Sequence, residues 1–215
     1  MMKKTILFDL DGTLIDSTTA ILDCFNHAFK EQNFKFKGTS EDIKKEIGYP
    51  LDIMFGNLGV DKGCVWDFVD SYKEEYRKVS ISKTTLLKNA KESLELASTF
   101  ARLGVVTTKT TQYSIPLLEH FGIMKYFETI IGRQEVENPK PHPEPIFKAL
   151  EMMNLNVNKN IYMVGDTKLD IIAANEAKIS NVAVLCGYGT REDLTSYTSL
   201  IVTDSLEAVK LIKNN

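Results

Sequence analysis

Lys4-Thr5-Ile6-Leu7-Phe8-Asp9-Leu10-Asp11-Gly12-Thr13 is the stretch from which the rest of the chain is best read. Residues 5–8 are apolar and partly β-branched, the composition of a buried strand. Alternation along a strand places residues i and i+2 on one face, so Asp9 and Asp11 are expected to share a face at its C-terminal end. Gly12 lets the chain turn with no Cβ in the way. Two adjacent carboxylates repel unless a cation or a proton intervenes. That arrangement works against folding and suits metal-dependent chemistry.

Working outward, short apolar runs recur at residues 103–107, 128–131, 161–164, 182–185 and 200–202. Helical spacing fills most of the gaps. Ala90, Leu94, Ala97 and Ala101 form one stripe, and Leu206, Val209 and Ile212 another. Strands alternating with helices read as an α/β fold, a Rossmann-like, doubly wound parallel sheet covered on both faces. Ligands of such sheets bind at the carboxyl ends of the strands, where Asp9 and Asp11 sit.

The alternation fails between about residues 16 and 83. Ile21, Leu22, Phe25, Ala28 and Phe29 make one helical stripe, with Asp16 or Ser17 as its N-cap. Val65, Val69, Tyr72, Tyr76 and Val79 make a second, and a Gly48-Tyr49-Pro50 break separates them. The aromatic pair Tyr72 and Tyr76 reads as helix packing. The expected organisation is a core of residues 1–15 and 84–215 carrying an inserted α-helical cap of residues 16–83.

Bulk properties exclude several classes. The chain has 215 residues, a net charge of −3, 43% hydrophobic and 26% charged residues. That is an ordinary soluble composition without a basic stripe, so nucleic acid is not the expected partner. No apolar run approaches the roughly 20 residues that span a bilayer. Cys24, Cys64 and Cys186 form no CxxC pair and are expected to be packing residues in a reducing cytoplasm. A monomer is expected.

The other strand ends carry matching chemistry. Val106-Thr107-Thr108-Lys109 offers two hydroxyls and an amine. Lys140 lies in Asn138-Pro139-Lys140-Pro141-His142-Pro143, stiffened by three prolines. Gly165-Asp166-Thr167-Lys168-Leu169-Asp170 ends a strand with two acids, Asp170 falling in the first helical turn, where the dipole favours it. Four crowded carboxylates need a cation, since unit charges about 4 Å apart interact by roughly 4 kcal/mol at an effective dielectric near 20. Oxygen ligands without a His or Cys cluster suit Mg²⁺ best. Lysine and hydroxyls beside such an ion suit phosphoryl transfer. Pro116 is expected within the first turn of the next helix, with Ser114 near its N-cap.

These four motifs, in this order, resemble those of haloacid dehalogenase-superfamily phosphatases with a small helical cap. The resemblance implies that Asp9 is the nucleophile, giving an aspartyl-phosphate, and that Asp11 is the general acid and then the base. It implies that Thr107 binds the phosphoryl group and that Lys140 offsets charge on Asp9 and the phosphate. Asp9, the Asp11 backbone carbonyl and Asp166 would hold Mg²⁺, with Asp170 on the metal or its water. Gly12, Thr108 and the cap residue Tyr49 would contact substrate. Dehalogenases lack the second acid, so Asp11 points to phosphate chemistry. Sugar-phosphate mutases carry a histidine ten residues after that acid, where this chain has Ile21. Thr108 departs from a frequent asparagine.

The implied function is a Mg²⁺-dependent hydrolase of a small phosphorylated metabolite, similar to phosphoglycolate phosphatase. The inorganic pyrophosphatase branch is the alternative, followed by sugar-phosphate or nucleotide phosphatases. A non-catalytic phosphate-binding protein is disfavoured, because it would not need the acid at Asp11.

Overall fold

The computed structural model describes residues 3–215. The elements run β1 (Lys4–Phe8), β2 (Ile15–Asp16), α1 (Thr18–Glu31), α2 (Ser40–Lys44), α3 (Leu51–Asn57), α4 (Val65–Val79), β3 (Thr85–Leu86), α5 (Ala90–Ser98) and β4 (Ala101–Val106). They continue with α6 (Thr111–His120), β5 (Thr129–Ile131), α7 (Glu144–Met152), β6 (Ile161–Gly165), α8 (Lys168–Glu176), β7 (Ser180–Val184), α9 (Arg191–Thr195), β8 (Ile201–Val202) and α10 (Ser205–Asn214).

Six strands form one sheet in the order β5-β4-β1-β6-β7-β8, every pairing parallel. The alternation of the sequence explains why both faces are covered. Ile6, Phe8, Leu103, Val105, Tyr162 and Val164 face one way and pack with Leu94 and Ala97 of α5 and Val209 and Ile212 of α10. Leu7, Val106, Ile161 and Met163 face the other, against Ile146 and Leu150 of α7 and Ala173 and Ala174 of α8. β1 is central, with β4 on one side and β6 on the other. The C-terminal ends of three neighbouring strands therefore lie side by side. The motifs that follow them are brought together across a long stretch of chain, 153 residues in the case of Thr13 and Asp166.

The chain divides into two compact units, one of them Ser17–Thr85 and the other the sheet with its helices. The short strands β2 and β3 pair with each other where the chain enters and leaves the helical unit. Within that unit α1 packs on α4 through an aromatic cluster. Phe25 lies 4.5 Å from Phe55 and 5.2 Å from Tyr72 between ring centroids. Tyr72 and Tyr76 are buried and stacked, so they are packing residues as their spacing implied. Among the described residues no helix is long and apolar enough to cross a membrane.

Three local expectations are corrected. Ala101 does not end the stripe of α5, which stops at Ser98. It opens β4 and pairs with Lys4, because sheet hydrogen bonding overrides a spacing that happens to fit a helix. Pro116 lies inside α6, whose N-cap is Thr110, and Ser114 is one turn in, its hydroxyl bonded back to the Thr110 carbonyl at 3.0 Å. The extended backbone of Thr110 starts the helix earlier than the proline suggested. Cys64 is exposed and so is not a packing residue, whereas Cys24 is buried.

Candidate active site

Asp9 leaves the end of β1, its N–H bonded to the Val164 carbonyl of β6 at 2.9 Å. The chain does not continue extended to Asp11. The Leu10 carbonyl accepts from the amides of Thr13, Leu14 and Ile15, closing a tight turn. Asp11 therefore lies beyond the strand, within that turn. Gly12 sits at φ +84°, and a Cβ there would lie 2.3 Å from Asp166 Oδ2. Only glycine allows this backbone to approach the carboxylate so closely.

The buried carboxylates of Asp9, Asp166 and Asp170 converge, one oxygen from each lying within 4.8 Å of the others. These three could hold a metal ion. The Asp11 carboxylate is not part of this cluster, although its charge still acts on Asp9. The Asp166 carboxylate accepts from the Thr13 hydroxyl at 3.1 Å and the Tyr188 amide at 2.8 Å. Asp170 has the helix-start role its position suggested and more. Its Oδ2 accepts from the Thr167 amide and hydroxyl in a capping box, and its Oδ1 faces Lys140. Gly165 makes room for it, since a Cβ there would fall 2.3 Å from the Asp170 carboxyl carbon.

Lys140 is 3% exposed. Its ammonium donates to Asp9 Oδ1 at 2.8 Å, Asp170 Oδ1 at 2.5 Å and the Val106 carbonyl at 3.0 Å. All three of its protons thus have an acceptor, the condition under which a buried ammonium is tolerated. Burial alone would lower its pKa, but Asp170 and Asp9 outweigh burial and hold it above the ordinary lysine range. Burial lifts the Asp9 carboxyl to about 6 against the pull of Lys140, with Asp170 and Asp11 adding repulsion. Burial, then Asp9 and Asp170, raises Asp166 well above the ordinary value.

Thr107 is buried just past β4, and its hydroxyl oxygen accepts from the Lys109 amide at 3.2 Å. Its own O–H is therefore the remaining donor. Thr108 is half-buried beside it. Tyr49 belongs to the helical unit, in the turn between α2 and α3.

Three participants were not assigned from sequence. Lys109 Nζ lies 3.2 Å from Asp11 Oδ2. It stands two residues beyond Thr107, a position that marks it as near the site without giving its direction. Thr13 follows the paired aspartates directly, so its hydroxyl was within reach of a motif reading. Tyr188 contributes a backbone amide, which leaves no side-chain signal. Cys186 packs its Sγ 3.4 Å from the Gly12 carbonyl, and burial pushes the thiol up to about 12, so it is not a nucleophile at neutral pH.

Comparison with known proteins agrees with this geometry. Residues 6–184 match the family described as haloacid dehalogenase-like hydrolase. The chain is 33% identical to the pyrophosphatase PpaX of Oceanobacillus iheyensis, over 99% of this chain and 98% of that protein. It is 30% identical to the phosphoglycolate phosphatase of Colwellia psychrerythraea, over 91% and 90%. The crystal structure of a haloacid dehalogenase-like hydrolase from Bacteroides fragilis superposes with a TM-score of 0.90 at 25% identity, covering 96% of this chain and 99% of that one. A parallel sheet with this strand order, a buried aspartate triad at its carboxyl edge and a match over most of the length leave one conclusion: the chain belongs to the haloacid dehalogenase-like hydrolase family.

Proposed function

We propose that the protein is a Mg²⁺-dependent phosphohydrolase of the cytoplasm, acting on a small phosphate monoester through an aspartyl-phosphate on Asp9, as a phosphoglycolate phosphatase-like enzyme. The observation that carries this reading is the constellation around Asp9: a carboxylate held by a buried lysine, beside two further acids and a second aspartate two residues on. The donor set fits Mg²⁺. It is all oxygen, and the three buried carboxylates of Asp9, Asp166 and Asp170 with Lys140 leave two negative charges, which one divalent cation neutralises. Asp9, Asp166 and Asp170, with the backbone carbonyl of Asp11, would hold the ion. Bound there, Mg²⁺ supplies positive charge that screens the phosphoryl oxygens and favours the ionised form of Asp9.

The chain's own groups account for the remaining steps. An oxygen of Asp9 forms a bond to phosphorus as the bond to the leaving oxygen breaks. Asp11 gives its proton to that oxygen. Asp11 then takes a proton from water, whose oxygen attacks phosphorus and releases Asp9 with inorganic phosphate. Lys140 holds Asp9 in place, and the hydroxyl of Thr107 donates to a phosphoryl oxygen.

A second reading, inorganic pyrophosphatase, is favoured by the relative from O. iheyensis, which is similar along almost the whole chain. Phosphate release from phosphoglycolate, pyrophosphate, hexose phosphates and nucleotides, with and without Mg²⁺, tests both. Preference for phosphoglycolate supports the first reading and preference for pyrophosphate the second. No release from any of them removes the enzyme assignment.

A further inference from the structure

We propose that Lys109 is a positioning residue that holds the Asp11 carboxylate in the orientation needed for proton transfer to the leaving group. The claim rests on the hydrolase reading above and adds a role to a residue outside the metal cluster.

Asp11 is placed differently from Asp9, Asp166 and Asp170. Those three are buried and tied to Lys140, Thr13, Thr167 or the Tyr188 amide. Asp11 follows the strand end in a tight turn, is only half-buried, and its carboxylate lies outside the triad. Lys140 has its three protons committed to Asp9, Asp170 and Val106. Lys109 reaches Asp11 from the neighbouring strand end, 3.2 Å from Oδ2, with side-chain exposures of 9% for the lysine and 13% for the aspartate. Partial desolvation of this kind makes an ion pair directional, unlike one in open solvent.

The lysine starts from a clamped backbone. Its N–H donates to the Thr107 hydroxyl, and its carbonyl accepts from the Arg133 amide at 3.2 Å. Gly132 packs so closely that a Cβ there would lie 2.6 Å from the Lys109 carbonyl oxygen. One residue thus touches two groups of the site, Thr107 through its amide and Asp11 through its ammonium. Replacing the side chain leaves the contact through the amide in place. Holding Asp11 at Oδ2 restricts rotation of the carboxylate and so sets the direction in which its acidic proton is presented. A general acid must lie within hydrogen-bond reach of the atom it protonates, and small misplacement is costly.

The test compares Lys109→Met with wild type on two esters. One is 4-nitrophenyl phosphate, whose leaving group needs no proton, and the other is glycerol 1-phosphate, whose leaving group does. We expect kcat/KM for the alkyl ester to fall about 100-fold, with a loss below about threefold for the nitrophenyl ester and KM for both little changed. Lys109→Arg should recover most of the loss, and a crystal structure of Lys109→Met should show the Asp11 carboxylate displaced. Should the Met variant not fold, Lys109→Gln takes its place. Equal losses on both esters with raised KM would assign Lys109 to the phosphoryl group and overturn the proposal, as would an unmoved Asp11. If wild type hydrolyses neither ester, the monoesterase reading fails, and the position of Asp11 in the variant still decides the proposal.

Discussion

Lys140 Nζ stands between Asp9 Oδ1 at 2.8 Å and Asp170 Oδ1 at 2.5 Å, joining the end of the first strand to the helix that follows the sixth. The bridge spans 131 residues in one direction and 30 in the other. It converts a repulsive pair of buried carboxylates into a fixed unit.

Removing that ammonium leaves two buried charges without their partner. We expect Lys140→Met to cost about 3–5 kcal/mol in metal-free protein, the range for breaking a buried ion pair from one side. Urea denaturation with chelator present measures it. A loss below about 1 kcal/mol would mean that the carboxylates protonate instead of remaining charged.

The raised carboxyls give a pH dependence of definite sign. Between the ordinary value of 3.8 and about 6, folded Asp9 binds a proton more tightly than unfolded Asp9 does. Stability is then greatest on the acid side and falls as pH rises, by about 3 kcal/mol for a shift of this size. Asp166 acts in the same direction. The lowered carboxyls of Glu74, Glu128 and Glu144 act oppositely, but only below their own ordinary value of 4.5. Chelator-treated protein should therefore have a lower urea midpoint at about pH 7.5 than at about pH 5. Millimolar MgCl₂ should raise the midpoint at the higher pH and do little at the lower.

On the proposed mechanism, Asp9→Asn removes the nucleophile and a metal ligand while preserving shape. Turnover should fall on the order of 10⁴-fold or more, as for other enzymes that lose a nucleophile. Metal-free stability should change by less than about 1 kcal/mol, because the substitution also relieves burial of a charge. The Mg²⁺-induced rise in Tm should shrink. Retained turnover would remove the covalent mechanism.

Gly12→Ala combines a positive φ with a Cβ placed 2.3 Å from Asp166 Oδ2. We expect a loss of about 1–3 kcal/mol, together with weaker Mg²⁺ binding, read by the Mg²⁺ dependence of Tm. Unchanged metal response would show that Asp166 does not carry the ion.

The six strands and the paired aspartates were legible in the chain because alternation and apolar runs are local properties. Errors arose where local spacing was ambiguous. Ala101 fits a helical stripe but is claimed by pairing with Lys4, and Pro116 suggested a helix start that Thr110 provides earlier. In the site, Asp9, Thr107, Lys140, Asp166 and Asp170 could be named from motif order alone. Which of them touch one another could not. Periodicity says that a side chain stands at a strand end, and the order β4-β1-β6 says which ends are neighbours. Asp11 lies in the turn at Leu10, with its carboxylate against Lys109 and outside the triad. Sequence alone thus supplied the chemistry and the sheet. Packing between distant segments decided that three of the four carboxylates converge and that the fourth is paired with a lysine, because side-chain direction in a loop depends on hydrogen bonds that no residue pattern encodes.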